Sequence, residues 1–159
     1  MIKRWTKLAG LSLHPTKTRI AGLQLSQGFD FLGYHFEAAA SRPSGILRQP
    51  RKKSLQKFKT QVRLLTKRNN AHSMATTVAL LNPVVRGFFE YFKHAHPNIF
   101  GSLDGWVRMR LRSILRRRIH HRGRGRGKDH QRWPNAYFSE LGLFFMAKAW
   151  AALSQPRAG

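Results

Sequence analysis

The stretch Ser73-Met74-Ala75-Thr76-Thr77-Val78-Ala79-Leu80-Leu81-Asn82-Pro83-Val84-Val85-Arg86-Gly87-Phe88-Phe89-Glu90-Tyr91-Phe92 carries a single apolar stripe. Met74, Val78, Leu81, Val85, Phe88 and Phe92 recur at intervals of three and four, the period of a helix that buries one face. Ser73 is suited to cap it, because a serine hydroxyl accepts from a first-turn amide. Pro83 lacks the amide hydrogen of a helix interior, so either Asn82 caps a fresh helix with Pro83 at its first position, or one helix kinks there. Phe88, Phe89 and Phe92 continue the stripe and read as core; Tyr91 is the least determined of the group.

Two more helices flank this one. From Ser54 onward Leu55, Phe58, Val62 and Leu65 repeat at helical spacing, with Lys57, Lys59, Arg63 and Lys67 opposite, and Asn69 with Asn70 ends the run. Downstream, Leu103, Val107, Leu111, Ile114 and Leu115 predict a helix from about Ser102 to Arg118. Arg108, Arg112 and Arg116, four apart, line one of its edges, and Arg110 and Arg117 the other. No acid stands between Gly105 and Lys128, so the opposing charge is expected from outside the chain. Arg122, Arg124 and Arg126 alternate with glycines in a run that reads equally as a linker or as an RNA contact. A last apolar-rich segment, Ala136 to Leu153, is expected to be largely helical.

Before the helices the pattern is strand-like. Lys3 to Leu8 reads as the end of a helix stopped by Gly10. Thr16 to Leu25, the turn Ser26-Gln27-Gly28 and Phe29 to Glu37 read as a β-hairpin, with apolar residues on both faces of its second strand. Ala38 to Lys53, with Pro43, Gly45, Pro50 and five Lys or Arg residues, reads as a basic connector. The fold class is therefore α+β, mainly α: a β-hairpin followed by a basic three-helix unit.

Composition narrows the function. Among 159 residues, 30 Lys and Arg face 6 Asp and Glu, a net charge of +24, while 42% hydrophobic residues provide for a folded core. A surface so charged calls for a polyanion, and phosphate contacts by Lys and Arg release condensed counterions. Cations spread along the whole chain favour nucleic acid over a membrane, which asks for one basic amphipathic helix. No apolar run approaches a membrane span, and the first twenty residues hold no uninterrupted apolar signal region. Zero cysteines exclude thiolate chemistry and Cys-type zinc sites. The six acids are scattered, and His94 with His96 and His120 with His121 do not have the spacing of a helical zinc site, so no metal and no cofactor are expected.

Several blocks, in order, resemble the C-terminal third of group II intron-encoded proteins, the reverse transcriptase and maturase family of bacteria and organelles. Gly10 to Ile20 and Gly28 to Tyr34 look like the blocks after the polymerase's catalytic strand and at the palm-to-thumb boundary. Leu81 to Phe92, continuing through Leu103, Asp104 and Trp106, is similar to the maturase-specific signature, with Phe88 where the family usually has tryptophan. Trp133 to Phe138 and Gly142 to Phe144 look like the closing element.

The resemblance implies a remnant of the palm over 1–37, the connector over 38–53 and a thumb or maturase domain over 54–159. It places Lys17 near a leaving pyrophosphate, and Phe31, Leu32 and Gly33 near a primer end. The family's Tyr-Ala-Asp-Asp loop is absent from the sequence, so the chain is read as beginning after the catalytic centre, with no catalytic residues and no enzyme activity of its own. Its implied function is RNA binding of maturase type, assisting intron folding and splicing. Arg86, Arg108, Arg110, Arg112, Arg116, Arg117, Arg122, Arg124 and Arg126 are the expected RNA contacts. Arg86 is open between that role and a pair with Glu90. The implied partner is structured RNA, group II intron RNA in particular, in a bacterial cytoplasm or an organelle. The alternatives are a nonfunctional truncated remnant, a split reverse transcriptase whose complementary fragment carries the aspartates, and a generic basic nucleic-acid binder.

Overall fold

A computed structural model describes residues 4, 6, 8–10, 12, 28–39 and 45–155. The proposed strand Thr16 to Leu25 and the site residue Lys17 lie outside the described residues, as do Lys3, Trp5 and Lys7 of the Lys3 to Leu8 segment. The fold class is α+β and mainly helical, as the sequence predicts.

Among the described residues, three antiparallel strands stand in the order β1 (Phe29–Phe31), β2 (Tyr34–Ala38), β3 (Ile46–Pro50). The segment Phe29 to Glu37, expected as one strand, is instead two strands joined by a two-residue turn, with Phe29 opposite Phe36 and Phe31 opposite Tyr34. Leu32 and Gly33 form that turn at φ 46° and 81°. Both values are positive, as the mirror-image turns of tight hairpins require, and leucine at the first position hides the signal that Asn-Gly would give. The Phe29 and Phe36 rings stack at 5.2 Å. The expected connector 38–53 holds β3, whose Arg48 pairs with Phe36 and whose Pro50 pairs with Tyr34 at the strand's last position, where a missing amide is tolerated.

β3 runs directly into α1 (Lys52–Leu65), followed by α2 (Met74–Phe92) and α3 (Asn98–Arg118). Ser73 caps α2 by accepting from the Thr76 amide at 3.0 Å. α2 continues unbroken through Pro83, which lies on the exposed side together with Ala79, the residue its amide would have paired with. Asn82 starts no new helix. Its amide donates to the Gly142 carbonyl at 2.8 Å and its oxygen accepts from the Phe144 amide at 2.9 Å.

Phe58 and Val62 of α1, the α2 stripe, and Phe100, Leu103, Val107, Leu111 and Ile114 of α3 make one core. Phe88 packs between Phe58 and Phe92 at 4.3 and 4.7 Å, so the ring at this position is a core ring. Each such side chain contributes roughly 1.5–3 kcal/mol by leaving water. The segment expected to be largely helical is broken into α5 (Asn135–Glu140) and α6 (Met146–Ser154), preceded by a short α4 (Lys128–Arg132). Phe138, Leu143 and Met146 from this stretch close the core.

Tyr34 and Tyr91 dock the sheet on the helices. The Tyr34 hydroxyl donates to the Tyr91 carbonyl at 2.7 Å, and the Tyr91 hydroxyl donates to the Leu32 carbonyl at 2.8 Å. The Gly33 carbonyl accepts from the Arg51 amide at 2.9 Å and the Ser54 hydroxyl at 3.1 Å, tying the turn to the start of α1.

Candidate nucleic-acid interface

The arginine edge of α3 does not face solvent as a unit. Arg112 is only 3% exposed; its Nε donates to the Trp133 carbonyl and its Nη2 to Asn135 Oδ1, both at 2.9 Å, and its guanidinium lies 5.2 Å from the Phe138 ring centre. The chain from Gly125 to Phe138 folds back over this edge, so closely that a Cβ on Gly125 would stand 2.8 Å from Arg112 Cβ. Arg112, expected as an RNA contact, is thus placed within the core, where it clamps the returning chain. Burial, then the charge of Arg108, lowers its proton affinity, while Asp129 opposes the shift.

Arg116 is likewise engaged within the chain. Its Nη1 stands 2.6 Å from Asp129 Oδ2, and its Nε donates to the Arg122 carbonyl at 2.8 Å. The counter-charge expected from outside is supplied by Asp129, whose Oδ2 also accepts from the Arg126 amide at 2.9 Å. That amide, together with the Arg116 guanidinium, holds the Asp129 carboxyl below the usual carboxylate range. The arginine-glycine run is consequently folded against α3 rather than a free linker, while the Arg122, Arg124 and Arg126 residues stay exposed.

Arg110 reaches the other way. Its Nε donates to Thr66 Oγ1 at 3.0 Å and its Nη2 to the Thr66 carbonyl at 2.8 Å, at the C-terminal end of α1. Carbonyls at a helix end carry partial negative charge, so this is a favourable place for a cation. Burial first, then Arg68 and Arg63, lowers the proton affinity of Arg110, which places three guanidinium groups together at this end. Arg118 joins them by donating to the His72 carbonyl.

Arg63 and Lys59 sit 5.6 and 5.9 Å from the ring centre of Trp106. Arg86 is exposed and lies 4.4 Å from the Phe144 ring centre, while Glu90 pairs with Lys93 instead. Arg108 is half-buried, 5.4 Å from the Phe145 ring centre, and Arg117 is exposed. The structure thus leaves Arg86, Arg117, Arg122, Arg124 and Arg126 at the surface, and adds Lys57, Lys67 and Arg68 of α1 and its following turn. Their signal was the acid-free polar face of α1. Phe31 and Leu32, 59% and 68% exposed, stand beside Gly33 at the sheet's turn.

Among the described residues only Lys93 and Arg116, of all the lysines and arginines, form ion pairs with carboxylates. The other lysines and arginines form no ion pair with a carboxylate among the described residues, and such a surface sustains a strong positive potential. No group of three or more His, Cys, Asp or Glu residues that could hold a metal occurs among the described residues. No helix there is long and apolar enough to cross a membrane.

Fold and surface together define a mainly helical α+β protein with an uncompensated cationic face. Residues 55–133 match the family model of the group II intron, maturase-specific domain. The chain thus carries a maturase-specific domain of the group II intron kind over 55–133. A comparison with curated proteins finds no match.

Proposed function

We propose that the chain binds structured RNA, group II intron RNA in kind, and favours its splicing-competent fold without chemistry of its own. The observation that carries this is the maturase-specific match over 55–133 on a domain whose lysines and arginines are almost all without carboxylate partners. A large ribozyme must crowd many phosphates together, and a rigid cationic surface lowers that repulsion. Recognition then rests on shape more than on base identity. In this reading 1–37 is the end of a polymerase palm, 38–53 the join and 54–159 the RNA-binding unit.

The test is a binding and splicing series. The purified chain is titrated against a group II intron RNA and unrelated structured RNAs over a range of salt, and intron splicing is followed at limiting Mg²⁺ with and without protein. Affinity should fall linearly on a log-log salt plot, and splicing should accelerate. Equal affinity for all RNAs with no gain in splicing would reduce the protein to a generic binder.

The exposed Phe31 and Leu32 favour a second reading, in which a complementary reverse transcriptase fragment covers the sheet's turn. Primer extension with the chain alone and mixed with a polymerase fragment bearing the aspartates separates the two, since only the split enzyme gains activity on mixing.

A further inference from the structure

A cleft of about 610 Å³ opens between β3, the turn Lys93–Pro97 and the C-terminal half of α6. That volume falls within the roughly 300–1,000 Å³ usual for small-ligand sites. Half-buried Trp150 and 62%-exposed Leu153 give it an apolar wall, Arg48, Lys93, His94 and His96 line the rest, and no carboxylate is among its lining residues. We propose that this cleft receives one unpaired nucleotide of a bound RNA, with its base against Trp150 and its phosphate held by Arg48 and Lys93. The inference rests on the RNA-binding reading and adds to it a preference for an extruded base.

The chemistry of the walls selects this occupant. An indole face stacks on any base, and base-aromatic stacking needs no sequence match. Arg48 forms no ion pair among the described residues, and its guanidinium suits a phosphate's geometry. Lys93 is held by Glu90 at 3.3 Å in an exposed pair, and such pairs are weak enough to yield to a phosphate. A purely apolar peptide would leave these cations unanswered, whereas a nucleotide answers both walls at once.

The cleft is also built in advance. The His96 amide donates to the Arg48 carbonyl at 2.8 Å, fixing β3 against the turn. Buried Asp104 accepts from the first two amides of α6, Met146 at 3.1 Å and Ala147 at 2.9 Å, fixing the helix that carries Trp150. Walls that are already in place cost less ordering on binding. Base-paired RNA keeps its bases stacked inside the duplex, so only a bulged, looped or terminal nucleotide reaches the wall.

The test uses the full chain and two RNA hairpins that differ by one bulged nucleotide. The bulged hairpin should bind about 5- to 150-fold more tightly than the paired one, the range of one base-aromatic stack. Trp150→Leu should erase that preference while leaving affinity for the paired hairpin unchanged, and Trp150→Phe should restore part of it. Arg48→Gln should weaken the bulged hairpin selectively. A photoreactive base at the bulge should crosslink to the segment holding Trp150 in the unaltered protein, which keeps the test valid if a variant folds poorly. Equal binding of both hairpins, or a crosslink elsewhere, overturns the cleft assignment and leaves general RNA binding standing. Failure to bind either hairpin overturns both.

Discussion

Arg112 and Trp133 are joined through side chain and backbone, the guanidinium Nε donating to the carbonyl at 2.9 Å beneath the returning chain. Arg112→Gln should therefore weaken the fold and spare the interface. Hydrogen bonds from a charged group contribute about 1.5–3 kcal/mol, and the loss should appear as a lower denaturation midpoint at unchanged slope. The salt dependence of RNA binding by the folded variant should match that of the parent. A stable variant with weakened RNA binding would return Arg112 to the interface.

Lys67, Arg68 and Arg117 are exposed and have no carboxylate partner among the described residues. Replacing all three with glutamine removes charge without touching the core. If each neutralises one phosphate of helical RNA, the log affinity against log salt slope should shrink by up to about 2.7 units. Circular dichroism controls for folding. An unchanged slope would assign the binding face to the arginine-glycine loop or to Arg86.

The two buried aspartates should respond to pH in opposite directions. Asp129 titrates below its ordinary range, because of the Arg126 amide and then Arg116, so its contribution is complete above that range and lost as pH falls through the depressed value. The gap in stability between the parent and Asp129→Asn should close in acid. Asp104 is raised by burial, against the pull of the Ala147 and Met146 amides and Arg108. Its contribution is full below the ordinary aspartate value and is lost as pH rises through the raised one, so the deficit of Asp104→Asn should shrink upward. Urea midpoints between pH 2 and 7 decide both. Gaps that ignore pH would refute the assignments.

Leu32 holds a left-handed backbone while leaving most of its side chain in water. That conformation costs a non-glycine residue roughly 1–2 kcal/mol, and Asn-Gly is the preferred pair for such a turn. Leu32→Asn should raise the melting temperature by about 2–4 °C. A drop would show that the exposed leucine contributes packing that outweighs its backbone.

Tyr34→Phe combined with Tyr91→Phe removes both hydroxyl bonds between sheet and helix. Hydrogen exchange should then quicken at Phe29 to Phe36 and stay as before at Val85 to Phe92. Uniform acceleration of both segments would mean that sheet and helices open together.

The helices were legible because each buries a face whose spacing is local. The α2 stripe and its Ser73 cap need nothing beyond twenty consecutive residues. Arg112 was illegible for the opposite reason, since the groups that cover it are Gly125, within the arginine-glycine run, and Trp133, Asn135 and Phe138, beyond it. Helical spacing says which residues share an edge, and says nothing of what later returns to lie on it. Asp129 hid in the same way, one residue past the acid-free stretch that made the arginines look unanswered. The hairpin turn was missed because leucine occupies a position where turn chemistry favours asparagine, and β3 because its pairing with β2 outweighs a basic, proline-flanked sequence.

Asn82 has a consequence for how the molecule ages. Its amide serves as donor to Gly142 and acceptor from Phe144 at once, so conversion to aspartate would set an oxygen against the Gly142 carbonyl and loosen the segment leading into α6. Asparagine ordinarily deamidates by attack of the next residue's backbone nitrogen on the side-chain carbonyl. Here that nitrogen belongs to Pro83, which bears no hydrogen and is closed in a ring. The same residue that deprives α2 of a hydrogen bond thus shields the amide that fastens the C-terminal segment, giving the clamp a long chemical lifetime.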